Sequence, residues 1–139
     1  MNNWKTMVYG YDLPTTILAD GAFQGDKGIY EWFVVSYGSH PCAYVTVPSD
    51  SKFYRKDEYE MPKINCHGGV NFATYKFPKS AEDIVNHVNG WIIGWDYMHD
   101  TDFRISPLYI HDGRIWTTEE MVAECENVID QILKIDNGD

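Results

Sequence analysis

The sequence predicts an α+β fold in which a mainly antiparallel sheet of about five to six strands is covered by a C-terminal helix, with one short additional helix. Two observations carry that expectation. Short runs rich in Tyr, Phe, Trp, Val and Ile alternate with glycine-containing turns through the middle of the chain, and a capping signal at residues 117–120 introduces a sustained amphipathic stretch. No internal repeat, low-complexity tract or flexible linker interrupts residues 1–139, so they read as one α+β domain. With 139 residues, 44% of them hydrophobic, the chain is large enough for an ordinary core without metal or disulfide staples.

Each element has its own local signal. From Ile29 to Val47, two strands rich in Tyr, Phe, Trp and Val flank Gly38-Ser39-His40-Pro41, which supplies a hairpin turn. Pro48 to Pro62 mixes Lys52, Arg55 and Lys56 with Phe53, Tyr54 and Tyr59 and lacks sustained periodicity, as expected of an ordered loop with a single helical turn. Val70 to Phe77 alternates larger apolar with smaller or polar side chains like a half-buried strand, and His67-Gly68-Gly69 forms its entrance. Ser80 and Asp83 are placed to cap a short helix carrying Ile84, Val85 and Val88. Trp91 to Trp95 is extended again, and Asp96 stands where that strand stops. Asp112-Gly113, between Tyr109-Ile110-His111 and Arg114-Ile115-Trp116, signals a two-residue hairpin. Thr117-Thr118-Glu119-Glu120 is a capping box for a helix whose Met121, Val122, Cys125, Val128, Ile129, Ile132 and Leu133 form one apolar face.

Charge and cysteine usage narrow the function classes. A formal net charge of −10 disfavours nonspecific attraction to a phosphate backbone, so nucleic acid is not the expected partner. The same charge suits solubility or docking onto a basic host protein. Cys42, Cys66 and Cys125 are odd in number and lack a metal-binding spacing, which points to free thiols in a reducing compartment. The N-terminal stretch lacks the basic and then apolar segments of a signal peptide, and no apolar run approaches membrane-spanning length. The expectation is a protein of the cytoplasm with no membrane partner.

Imidazole and carboxylate gather in two short segments, His67-Gly68-Gly69 and Gly94 to Asp102. If the strand opened by Gly69 neighbours the one ending at Asp96, then His67 and Asp96 approach each other with His99 a short loop away. Two imidazoles with one or two carboxylates support three chemistries. They can hold a divalent metal that polarises water for attack on a phosphodiester or pyrophosphate. They can act as acid and base without metal. Or they can bind ribose hydroxyls or a base edge while aromatic rings, 15% of the chain, stack on the base. No cofactor is expected for binding, and a divalent metal enters only with hydrolysis.

Each of these residues also has a plain structural reading. His67 and Asp96 suit a buried hydrogen-bonded pair that secures a loop. Gly68 and Gly69 suit a tight turn or bulge, since no helix follows them to complete a phosphate cradle. Tyr54 and Arg55, with Lys52, Lys56, Phe53 and Tyr59, set positive charge beside stacking surfaces, a lip for an anionic nucleotide, but Asp57, Glu58 and Glu60 blunt that potential. Cys66 adjoins His67 but would face the opposite side of a strand, so the two do not make a nucleophile–base pair there. Cys42, Cys125, Trp91 and Trp95 read as core, His40 and His111 as surface residues at turns, and His87 as lying on the polar side of its helix.

Taken in order, three groups of residues resemble a family of small proteins found mainly in phages and prophages of bacteria: the hairpin ending Cys42-Ala43-Tyr44-Val45-Thr46-Val47-Pro48, the His67-Gly68-Gly69 motif before a strand, and the Gly94, Trp95, Asp96, His99, Asp102 set. The resemblance covers Ile29 to Ile132. The chain departs from the family pattern where Asp100 and Thr101 stand between His99 and Asp102, and where residues 80–88 look inserted. The resemblance implies an accessory phage protein acting against host defence. The expected function is a phage-type counter-defence protein that binds and sequesters a small nucleotide-derived immune signal through His67, Gly68, Gly69, Asp96, His99, Asp102, Tyr54 and Arg55. The alternatives are a phosphodiesterase-like hydrolase that degrades such a signal and an acidic inhibitor that blocks a host defence protein. A homodimer would enclose a larger pocket across a symmetric interface.

Overall fold

A computed structural model of the chain describes residues 13–85 and 90–138, so His87 and Val88 lie outside the described residues. The elements are β1 (Thr16–Gly25), β2 (Gly28–Ser36), β3 (Pro41–Val47), β4 (Phe72–Thr74), α1 (Lys79–Glu82), β5 (Trp91–Asp96), β6 (Arg104–Ile105), β7 (Ile110–His111) and α2 (Thr118–Asp136). Five strands form one sheet in the order β1-β2-β3-β5-β4, antiparallel at every step, and β6 and β7 pair separately. The fold is therefore α+β, as the sequence predicts. Among the described residues no helix is long and apolar enough to cross a membrane.

Strand alternation divides the core in two. Tyr30, Trp32 and Val34 of β2, Ala43, Val45 and Val47 of β3, and Ile93 and Trp95 of β5 point to one face, where Met121, Val122, Cys125, Val128, Ile129 and Ile132 of α2 cover them. Phe33, Val35, Cys42, Tyr44 and Ile92 point to the other face and meet Phe77, Ala81 and Val85. All seven residues of β3 are buried, which follows from its place at the centre of the sheet with both faces covered. The helix begins as its capping box requires: the Thr117 side chain accepts from the Glu120 N–H, and the Glu120 carboxylate accepts from the Thr117 N–H.

Four local expectations change. β1 was not foreseen; it pairs with β2 through the turn at Asp26-Lys27, with a register shift between Ile17 and Ala19. The strand expected from Val70 to Phe77 is confined to Phe72–Thr74, because the chain then turns so that Phe77 packs edge-on against Phe33 and Tyr44. The short helix starts after Pro78 with no side-chain cap, so Ser80 and Asp83 do not serve as the expected capping pair. Asp112-Gly113 does not close a hairpin: His111 pairs with Arg104, and Arg114 makes a parallel bridge with Asp102. Gly113 meets a different demand, since a Cβ there would stand 2.6 Å from the Asp102 carbonyl carbon.

The C-terminal end of α2 is fixed by one buried carboxylate. Asp136 is 3% exposed and accepts from the Tyr30 hydroxyl at 2.6 Å and the Lys52 backbone N–H at 2.8 Å, tying helix, sheet and the loop after β3 together. Asp136→Ala leaves both donors without a partner and should cost about 2–3 kcal/mol. Asp136→Asn, which keeps an acceptor, should cost less. The urea midpoint at unchanged m-value measures both, and equal stability of wild type and Asp136→Ala would contradict the assignment.

Candidate functional site

The two histidine segments meet at the end of β5. Strand alternation sends Trp95 and Tyr97 toward α2 and Asp96 toward the opposite face, and β4 lies beside β5, as the sequence reading required. Beyond the strand the chain folds back on itself: the Asp102 N–H donates to the His99 carbonyl at 2.9 Å, and Asp102 Oδ2 accepts from the His99 N–H at 3.0 Å. Arg104 holds this loop from outside by donating to the Met98 and His99 carbonyls. On the other segment, the Gly69 N–H closes a turn onto the Cys66 carbonyl, with Gly68 at φ 70° and Gly69 at φ 81°. A Cβ on Gly68 would stand 2.0 Å from His99 Nε2, so the second histidine sits where only glycine leaves room.

His67 pairs with Asp102, not with Asp96. Its Nε2 stands 2.6 Å from Asp102 Oδ2, and Asp102 is 1% exposed. The other oxygen of Asp102 accepts from the Trp116 indole N–H at 2.8 Å. Burial alone would raise the Asp102 carboxyl, but the hydrogen bonds from His67, Trp116 and the His99 N–H outweigh it and hold the group below its ordinary value. Such a carboxylate only accepts, so His67 Nε2 carries the shared proton. Asp96 is on the far side of the sheet end, where Oδ2 accepts from the Asn71 amide at 2.5 Å and Oδ1 stands 3.3 Å from His99 Nε2.

Aromatic rings and a second carboxylate hold His67 in place. Its ring stacks on Tyr97 at 5.1 Å with 6° between planes, lies 4.8 Å from the Trp116 ring, and meets His99 edge-on at 5.1 Å. Glu124, on α2, accepts from the His67 backbone N–H at 2.9 Å, from the Trp95 indole N–H at 3.0 Å, and from the Tyr97 hydroxyl. Burial and then Glu124 push the Tyr97 phenol far up, which keeps it protonated as a donor. Arg114 lies 3.6 Å over the Trp116 ring and pairs with Glu120, closing the far side.

The site is not sealed. The side chains of His67 and His99 are 18% and 36% exposed. Through Asp96 and Asn71 the cluster borders a cleft of about 440 Å³ lined also by Tyr37, His40, Tyr44 and Phe72. Tyr37 and Tyr44 join their hydroxyls at 2.5 Å, and Phe72 meets Tyr44 edge-on, so the cleft lining combines aromatic rings with a hydroxyl pair.

Comparison with family models, with curated proteins and with solved structures finds no match to this chain.

Of the residues singled out from sequence, His67, Gly68, His99, Asp96 and Asp102 come together, and Gly69 shapes the turn beside them without touching a neighbour through a Cβ position. Tyr54 and Arg55 do not join them. Tyr54 lies against Trp91, at the opposite end of β5, five strand steps or about 17 Å from Asp96, and the Arg55 guanidinium sits over the Tyr54 ring. The Trp91 indole N–H donates to the Lys56 carbonyl and anchors that loop at its own end of the sheet. Sequence reasoning missed Trp116, Tyr97, Glu124 and Asn71. Glu124 had a readable signal, an acidic residue directly beside Cys125 on an otherwise apolar helix face.

Cys66 is no nucleophile here. Burial, then the Glu124 charge, push its thiol up to about 12, and burial does the same for Cys42. All three cysteines are free thiols; in the folded chain at pH 8 the buried Cys42 and Cys125 should react with a thiol reagent only as fast as the protein opens, and the part-exposed Cys66 should react far more slowly than a free thiol. Rapid labelling of Cys66 would overturn this. A thiol that ionises at 9.0 when unfolded and near 12 when folded contributes stability that is present below pH 9 and lost as pH rises from 9 toward about 12.

Proposed function

We propose that the chain binds and holds a small nucleotide-derived molecule at the end of β5, and that it serves as a phage-type counter-defence protein by sequestering such an immune signal. One observation carries the proposal: the rings of His67 and His99, remote in sequence, lie 5.1 Å apart, and Asp96, 3.3 Å from His99, lines a neighbouring cleft edged by aromatic rings. A cleft of about 440 Å³ lies within the range of small-molecule sites, and the half-buried Tyr37 and Phe72 offer ring surface to a base. The imidazoles, Asn71 and Asp96 offer donors and acceptors to ribose hydroxyls. The resemblance to small phage proteins supplies the biological context.

The His67–Asp102 pair favours a second reading. An imidazole oriented by a buried carboxylate, with another imidazole beside it, is an arrangement for proton transfer, so hydrolysis of the same ligand is the alternative.

Incubation of the purified chain with a panel of cyclic and linear nucleotides, removal of free ligand, heat denaturation and mass spectrometry of the supernatant separate these readings. Intact nucleotide released by heat is the expected result. An altered nucleotide establishes hydrolysis in its place, and neither retention nor change overturns both in favour of an acidic inhibitor of a host protein. His99→Ala should weaken retention at least about tenfold, or about 1.4 kcal/mol, with the fold preserved by circular dichroism; His67→Ala should weaken it as well, compared below that variant's own melting temperature because it also removes a donor from the buried Asp102.

A further inference from the structure

We infer that His67, His99 and Asp102 form a binding site for one divalent first-row transition-metal ion of the zinc or cobalt type. One ring nitrogen from each histidine and one Asp102 oxygen lie within 4.8 Å of one another. Ligand atoms held about 2.1 Å from a tetrahedral ion stand about 3.4 Å apart, so the widest separation would shrink by at most about 1.4 Å while the 2.6 Å His67–Asp102 hydrogen bond opens and its proton leaves Nε2. Two imidazoles and a carboxylate are a donor set suited to such an ion rather than to magnesium or calcium, which prefer oxygen alone.

His99 Nε2 is buried and makes no hydrogen bond, although the ring as a whole is 36% exposed. Asp96 Oδ1 is within ion-pair distance at 3.3 Å but off the direction that a hydrogen bond needs. A buried nitrogen with nothing to bond is costly, and this one is packed against Gly68, where only the missing side chain lets the imidazole sit.

The surroundings are those of a supported metal ligand. Asp102 is fixed through its other oxygen by Trp116, and the His67 ring by stacking on Tyr97. In the metal-free chain, the proton shared by His67 and Asp102 does the work the ion would do, screening a buried carboxylate. The clustering of Asp96, Asp102 and Glu124 around the imidazoles favours a cation and opposes a bare phosphate. A bound ion would reverse that for an anionic ligand, a link that rests on the function proposed above.

The test uses the full chain, stripped with chelator and then titrated with Zn²⁺ and Co²⁺. Expected are one ion per chain by elemental analysis after dialysis, visible Co²⁺ absorption bands of a nitrogen- and oxygen-ligated site, and a higher melting temperature with metal. His99→Ala and Asp102→Asn should each weaken affinity at least about 100-fold. His99→Ala should keep the metal-free melting temperature close to wild type, because its Nε2 bonds to nothing. No uptake by the wild-type chain, or wild-type affinity in either folded variant, overturns the inference. The nucleotide assay with and without chelator keeps the two proposals apart: nucleotide retained after complete metal removal refutes the dependence on metal alone, whereas metal uptake without nucleotide retention refutes only the ligand reading.

Discussion

A carboxylate taken out of water must recover the hydrogen bonds it gave up, and Asp102 recovers them from three separate parts of the chain. His67 comes from the turn before β4, Trp116 from the segment that leads into α2, and the His99 N–H from the loop after β5. None of these segments is long enough to define its own position, and β6 and β7 have only two residues each. Their arrangement depends on satisfying one buried charge, and a loss of any donor would leave that charge short. The loops beyond β5 and before β4 are organised around Asp102 in the way the large sheet is organised around β3.

The helix couples the two parts. Its apolar face covers the sheet, while Glu124, one position before the wholly buried Cys125, reaches from the helix to Trp95, Tyr97 and the His67 backbone. The capping box fixes where the helix begins, and helical spacing then fixes where Glu124 projects. A shift of α2 by one residue would move Glu124 around the helix by about 100° and release the Cys66–Gly69 turn. The position of the histidines is thus set as much by the packing of α2 on the sheet as by contacts between the rings.

What was legible in the sequence is what depends on near neighbours. The hairpin from Ile29 to Val47, the end of β5 at Asp96 and the helix after Thr117 each follow from period, turn residues or caps within a few positions. The approach of the two histidine segments was also legible, because it needed only that the strand after Gly69 lie beside β5. The partner of His67 was not. Asp96 is nearer along the strand, but alternation turns its side chain to the other face, and Asp102 wins because the loop from His99 folds back by a single turn. Asp112-Gly113 misled for a similar reason: the dipeptide suits a hairpin turn, yet its glycine is needed for close approach to the Asp102 backbone. The placement of Tyr54 and Arg55 depended on which end of β5 the loop reaches, and composition carries no such information.

The paired glycines after His67 have two different physical reasons. Both have positive φ, which turns the chain sharply enough for His67 to face inward from the last position before β4's approach. At Gly69 a side chain would meet nothing within 4 Å, so backbone angle alone favours glycine there. At Gly68 space decides as well, since a methyl group would occupy the volume of the His99 imidazole. A residue with any side chain at that point would push His99 outward, expose its buried nitrogen and separate the two rings. His67-Gly68-Gly69 therefore encodes more than a turn: the first glycine is the vacancy into which the second histidine fits, and whatever chemistry the site performs requires that vacancy before it requires the imidazoles.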